Sequence, residues 1–212
     1  MLNATLPALA ASGGEVLPEV GLGYIVKSFC HELLDDYAGA RASLDDLLHL
    51  VPEHAEALGF RGMLRFKSDE VGAMSDFERA VALRCDQVGP YYFVARQRMQ
   101  VAEYHQALSL CARVLQLTRR PNVQALMLQW AAIAQHALGY SVEIARATFR
   151  RSKELDPSNP TIDKNMAIFE GAVDAGRAID PADWSDAVLS SNLSHMKLDP
   201  MELLPHYATG SR

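Results

Sequence analysis

Apolar and small residues recur at a helical spacing in four separate segments of the chain. Each segment carries a small residue, a larger one four positions later and a third three positions after that, so all three side chains share one helix face. A leucine three positions further on closes each segment. The four columns are Ala40, Ala73, Ala107 and Ala145; Leu44, Phe77, Cys111 and Phe149; Leu47, Ala80, Val114 and Ser152; and Leu50, Leu83, Leu117 and Leu155. Every column advances by 33, 34 and 38 residues, so the segments are copies of one repeating unit.

Another apolar segment precedes each copy, so each unit is predicted to be a pair of helices. The first helices are predicted at about 19–34, 55–67, 90–101 and 123–138. Pro52 and Pro157 end two of the second helices. Pro160 suits a first helical turn and predicts a further helix at 160–175. That helix would cover the apolar face left open by the last pair.

Two departures from the regular spacing affect the register. The second repeat lacks one residue, which we place in the turn between its two helices. The fourth repeat has four extra residues, which we expect to lengthen its first helix.

The repeat resembles the tetratricopeptide repeat (TPR) in its period, in the Tyr-x-x-Ala spacing at Tyr37 and Tyr104, and in the Leu-x-Pro endings at Pro52 and Pro157. The resemblance covers residues 21–175. It implies an all-α fold, a right-handed α-solenoid of four TPR-like helical hairpins with a C-terminal capping helix and a helical tail. The expected organisation is a flexible segment at 1–18, a solenoid at 19–175 and a tail at 176–212. The solenoid comprises repeats at 21–54, 55–87, 88–121 and 122–159 and the capping helix at 160–175.

The tail departs from the period. Asp-Pro pairs at Asp180 and Asp199 predict short helices at about 181–191 and 200–207. Trp184 lies on an apolar stripe of the first of these, so self-association through the tail is a possibility. The tail could equally cap the solenoid or enter its groove.

Composition narrows the classes of partner and compartment. The formal net charge of −6 and the pI near 5.6 argue against nucleic acid as a ligand, since such proteins usually present a basic face. No stretch approaches the ~20 apolar residues that span a bilayer, and no Lys or Arg precedes Lys27 as a secretion signal would require. Three cysteines, an odd number, are more typical of reduced thiols than of a disulfide framework. The expected location is cytoplasmic.

Catalytic signatures are scarce, so we predict no enzyme activity, no cofactor and no metal site. The sequence from His31 to Asp35 begins like a zinc-protease helix, but Asp35 stands where the second histidine is required. There is no phosphate loop and no nucleophile elbow. An alternative is an accessory subunit or enzyme whose active residues lie in the tail, where His195, Asp199, Glu202 and His206 form a carboxylate–histidine group.

The resemblance implies that the first helix of each pair lines a concave groove that binds a partner protein. By register, the partner-binding candidates are Phe29, Met63, Phe66, Lys67, Tyr92, Arg96, Met99, Gln100 and Trp130. Aromatic, Arg and Met side chains are common interface anchors. We expect Tyr92, Arg96 and Trp130 to be hot spots that can be replaced with the fold largely intact.

The predicted function is therefore a protein–protein interaction module acting as an adaptor, scaffold or chaperone. An apolar groove with the cations Lys67 and Arg96 suits an amphipathic helix or an extended apolar segment with acidic neighbours. A clamp for acidic C-termini is disfavoured because Ile25, Phe29, Gly59 and Met63 occupy the matching positions. A secretion-type chaperone for a translocated protein is a further alternative.

Overall fold

The computed structural model describes residues 18–177 and residue 179. Within these residues the regular secondary structure consists of nine α-helices without a strand. They are α1 (Pro18–Leu33), α2 (Tyr37–Leu50), α3 (Ala55–Arg65), α4 (Glu70–Ala82), α5 (Val88–Gln100), α6 (Tyr104–Leu117), α7 (Pro121–Ala137), α8 (Val142–Leu155) and α9 (Pro160–Asp174). The predicted N-terminal segment up to residue 17 and both predicted tail helices lie outside the described residues.

The all-α architecture predicted from the repeat is confirmed. The first helices of the four pairs, α1, α3, α5 and α7, each begin and end within two residues of their predicted positions. Helix α7 of the fourth pair is the longest of these first helices with 17 residues, while α1 has 16, α3 has 11 and α5 has 13.

The described chain divides into two compact units, residues 18–90 and residues 91–177 with 179, and the division falls within α5. In the first unit α1 packs against α2, α2 against α3, and α3 against α4. In the second unit α6 packs against α7, and α7 against α8. Helix α9 contacts both α7 and α8, which is the position expected of a helix that covers the last pair.

The repeat columns form the core of each unit. All twelve residues of the first three columns are fully buried, whereas Leu50 and Leu83 of the leucine column are 37% and 36% exposed. Small residues are needed where two helices approach each other closely. Gly62 on α3 shows how close α3 and α4 are. A Cβ atom at Gly62 of α3 would lie 2.5 Å from the ring of Phe77 in α4, so even alanine would force the helices apart.

Five of the helix ends share one termination motif. The second residue after the helix adopts a left-handed conformation, and the N–H of the residue that follows it donates a hydrogen bond back across the last turn. At the end of α5, for example, Ala102 has φ of 58° and the N–H of Glu103 donates to the carbonyl of Arg98 at 2.8 Å. The left-handed residues are Asp35, Arg84, Ala102, Gly139 and Gly176. The turn between α3 and α4 has no such residue.

The cysteines differ in accessibility. Cys85 and Cys111 are buried, whereas Cys30 on α1 is exposed. Burial raises the pKa of the Cys111 thiol to about 12, so this thiol stays protonated at neutral pH. Among the described helices, none is long and apolar enough to cross a lipid bilayer.

Candidate partner-binding surface

In the first unit the predicted binding residues form a partly accessible apolar strip, which we define as Phe29, Met63 and Phe66. Phe29 on α1 meets Phe60 of α3 edge to face with ring centroids 4.8 Å apart, so α1 and α3 lie side by side here. All three strip residues are half-buried. Lys67, directly after the strip, is exposed. The strip thus combines a half-buried apolar surface with an exposed cation at its end.

In the second unit three of the predicted binding residues belong to the core. Tyr92 is 0% exposed, Trp130 1% and Met99 5%. The rings of Tyr92 on α5 and Trp130 on α7 stack with centroids 5.2 Å apart and an interplanar angle of 28°. The accessibility that we expected for these three side chains is therefore not observed, because two aromatic residues on adjacent first helices bury each other. Their predicted contact with a partner stays untested.

The other two candidates of the second unit remain accessible. Gln100, at the end of α5, is exposed, and Arg96 is half-buried. The Nε atom of Arg96 is shielded from solvent and has no hydrogen-bond partner. Arg96 follows Tyr92 by one helical turn, so the two side chains project from the same face of α5.

An ionic cluster in the first unit was not anticipated from the sequence. Asp76 on α4 is 3% exposed and accepts hydrogen bonds from two arginines of α3. Arg61 donates through Nε at 2.8 Å and through one Nη at 2.6 Å, and Arg65 donates at 3.2 Å. Arg61 also contacts Asp45 of α2 at 2.9 Å, and Arg65 pairs with Asp69. The cluster joins α2, α3 and α4.

One sequence signal could have revealed this cluster. Asp76 lies three positions after Ala73 and four before Ala80, both members of buried columns, so it falls on the buried face of α4. A buried carboxylate requires a cation or several donors. Arginines one turn apart on the preceding helix, Arg61 and Arg65, are suitable partners. The hydrogen bonds that Arg61 donates to Asp76 and Asp45 raise its pKa above the usual value.

Polar contacts also cross the core of the second unit. The hydroxyl of Ser152 on α8 donates to the backbone carbonyl of Ala125 on α7 at 2.7 Å. Asn165 of the capping helix α9 donates to the side-chain carbonyl of Gln129 on α7 at 2.6 Å. Both Asn165 and Gln129 are 1% exposed. These bonds fix the positions of α8 and α9 on α7 more specifically than apolar contacts alone would.

In the part of the chain that the structure describes, no three His, Cys, Asp or Glu side chains are grouped so that they could hold a metal ion. His31 contacts Asp36 at 2.8 Å, and Asp36 in turn caps α2 by accepting the N–H of Gly39 at 2.9 Å. That pair therefore organises a helix start. The tail group of His195, Asp199, Glu202 and His206 lies outside the described residues.

Solved structures resemble this chain in fold. YrrB, described as a TPR protein with an unusual peptide-binding site, aligns with a TM-score of 0.60 at 16% identity, over 98% of this chain and 100% of YrrB. MamA aligns with a TM-score of 0.54 at 14% identity, over 86% of this chain and 98% of MamA. A further MamA structure, from AMB-1, gives 0.53 at 18% identity over 91% and 98%. No family model and no curated protein matches the sequence.

The sequence repeat, the helix pairs that it predicts and these structural likenesses agree with one another. The chain thus has the fold of a tetratricopeptide-repeat-type domain.

Proposed function

We propose that this protein is a protein-interaction module that binds a segment of a partner protein. The observation that carries the proposal is the apolar strip of the first unit. Buried helix faces normally hide their aromatic residues, yet Phe29, Met63 and Phe66 keep part of their surface accessible on adjacent first helices. Such side chains gain free energy when a partner covers them.

The fold supports the same proposal. YrrB, which is described as having a peptide-binding site, aligns along its whole length with this chain. A stack of helix pairs presents rigid side-chain positions and needs little rearrangement on binding, which favours recognition of an extended or helical segment. We propose a non-catalytic role as an adaptor, scaffold or chaperone.

Selection of displayed random peptides against the full chain tests this function. Peptides that bind should lose affinity by about tenfold or more when Phe29 or Met63 is replaced by Asp, because a charge then faces the apolar part of the peptide. Val71 on α4 is 84% exposed, so Val71→Asp is a matched apolar-to-acid control that should leave affinity unchanged. Equal affinity for all four proteins, or no selected peptide at all, would refute the proposal.

A further inference from the structure

Arg96 differs from the other half-buried arginines in having no acceptor. Within residues 18–177, each of the others has a hydrogen bond, an ion pair or a ring contact with another residue; they are Arg61, Arg65, Arg98, Arg113, Arg120 and Arg146. Arg96 has no carboxylate or carbonyl partner there, and its Nε is shielded from water without a hydrogen bond. A donor on a charged group that is removed from water without an acceptor is unfavourable.

A second unsatisfied donor lies one helical turn away. The hydroxyl of Tyr92 is buried and has no hydrogen-bond partner. Burial raises the pKa of Tyr92 although the nearby Arg96 charge opposes the rise, so the hydroxyl keeps its proton at neutral pH. Trp130 stacks against the Tyr92 ring and holds it in place. Two adjacent donors without an acceptor, one of them cationic, are complementary to an anion.

We infer that Arg96 anchors an acidic side chain, Asp or Glu, of the bound partner segment, with the Tyr92 hydroxyl as the second donor. This inference rests on the proposed function and adds to it the chemistry of one partner residue. The guanidinium group of arginine suits a carboxylate because it presents parallel N–H groups in one plane.

The single positive charge of Arg96 and the shielding of both donors from solvent indicate which class of anion fits this site. A single guanidinium neutralises a carboxylate, whereas a phosphate carries up to two charges at neutral pH and usually meets several cations. The nearby Arg98 is already paired with Glu103 at 3.2 Å. The Arg96 Nε and the Tyr92 hydroxyl are shielded, so the acid must reach them on a slender stem. A side chain provides that stem, while a chain-terminal carboxylate would bring its own backbone along.

The test uses random peptides displayed with both ends joined to a carrier, so that no free terminal carboxylate is present. Peptides selected by the full chain should share an Asp or Glu at one position. A selected peptide should then bind about tenfold or more tightly than its Glu→Gln or Asp→Asn version, as expected for a charge-assisted hydrogen-bond pair. With Arg96→Gln this preference should fall to nearly none. Arg150→Gln, which removes an exposed cation of α8 in the same unit and outside the proposed site, should preserve the preference.

Two further variants separate anchoring from general effects on folding. Arg96→Lys keeps the charge but loses the planar group of donors, so it should retain part of the preference. Tyr92→Phe removes only the hydroxyl and should weaken the preference a few-fold. Thermal unfolding of each variant shows whether it folds. If Arg96→Gln does not fold, the acid preference of Arg96→Lys or Tyr92→Phe is compared with that of the native protein instead.

Each outcome distinguishes the inference from the function on which it rests. Selected peptides that bind equally well without the acid, or that keep their preference with Arg96→Gln, overturn the inference and leave the interaction module intact. If the preference for an acid appears only in a companion library of peptides with free C-termini, the bound carboxylate is that of the chain terminus and not that of an Asp or Glu side chain. Displacement of the acidic peptide by inorganic phosphate with loss of the acid preference would assign the site to phosphate instead. The absence of any selected peptide removes the proposed function as well.

Discussion

The ring of Tyr92 on α5 lies stacked on the ring of Trp130 on α7, with centroids 5.2 Å apart. Both residues are almost completely buried, so the pair connects two first helices within the second unit. Buried aromatic side chains contribute large apolar area, and a well-oriented pair adds about 0.5–1.5 kcal/mol beyond area alone. This contact explains why residues at positions predicted to line the groove are instead buried in the core.

Truncation of either ring should therefore destabilise the second unit. Tyr92→Ala or Trp130→Ala should each reduce the free energy of unfolding by about 3–5 kcal/mol, because each leaves a large cavity. Urea unfolding followed by circular dichroism measures the loss. Tyr140 in the same unit is 44% exposed, so Tyr140→Ala is a control that should cost less than about 0.5 kcal/mol. A Tyr92→Ala protein as stable as this control would contradict the packing.

The helices and the core columns could be predicted from the sequence because they depend on a period that four copies report together. Ala107 and Phe149, for instance, are buried because each lies on the helix face that packs against a neighbouring helix. Accessibility of the inner face could not be predicted in the same way. Phe29 and Tyr92 both fall on the predicted inner face, in register positions one helical turn apart, but the burial of each depends on the residue opposite. Trp130 lies opposite Tyr92, and the repeat period does not report which side chains of neighbouring first helices face each other.

The ionic cluster shows a different limit of sequence reasoning. Asp76 could be assigned to a buried face from its position among small residues, but its partners depend on side-chain directions across three helices. Arg61 donates hydrogen bonds to both Asp76 and Asp45, which are 31 positions apart in the sequence. Only the packed helices bring these groups within hydrogen-bond distance.

Removal of the central carboxylate should destabilise the first unit more than removal of an outer one. Asp76→Ala leaves Arg61 and Arg65 partly buried without their shared acceptor, and we expect a loss of about 2–4 kcal/mol in the free energy of unfolding. The side chain of Asp45 is 49% exposed, so Asp45→Ala should cost no more than about 1 kcal/mol. Urea unfolding at constant ionic strength measures both. Equal losses for the two variants would show that Asp76 is not the centre of the cluster.

Protonation of His54 should weaken the start of α3. Its Nδ1 accepts a hydrogen bond from the N–H of Ala57 at 3.3 Å, which requires the neutral ring. Burial lowers the pKa of His54 below 6.5, although Glu56 at 3.5 Å opposes the shift. The ring also lies close over α1, since a Cβ atom at Gly21 would be 2.8 Å from Nε2. The folded state therefore disfavours the charged ring.

Because the pKa of His54 is lower in the folded state, the unfolded chain binds more protons at mildly acidic pH. The stabilisation is complete above the unfolded pKa of about 6.5 and is lost as pH falls towards the folded pKa. His54→Asn keeps an N-cap acceptor without this titration, so urea midpoints between about pH 8 and pH 5 should fall less for the variant. His105 on α6 is exposed, and His105→Asn should retain the full pH dependence. Parallel pH profiles for native protein and His54→Asn would contradict the assignment.

Ala102 should be a position where glycine stabilises the protein. This residue lies two positions after the end of α5 and has φ of 58°, a left-handed conformation that costs a residue with a Cβ atom about 1 kcal/mol or more. It is exposed, so removal of its methyl group sacrifices little packing. Ala102→Gly should raise the free energy of unfolding by about 0.5–1 kcal/mol once the greater entropy of glycine in the unfolded chain is deducted.

Ala112 in the middle of α6 provides the matched control. It is also exposed but lies within a helix, so Ala112→Gly should lower the free energy of unfolding by about 1 kcal/mol. The same substitution is thus expected to act in opposite directions ten residues apart, and thermal and urea unfolding of the two variants measures both signs. If Ala102→Gly also destabilised the protein, α5 would not end in the left-handed turn that directs the chain into α6.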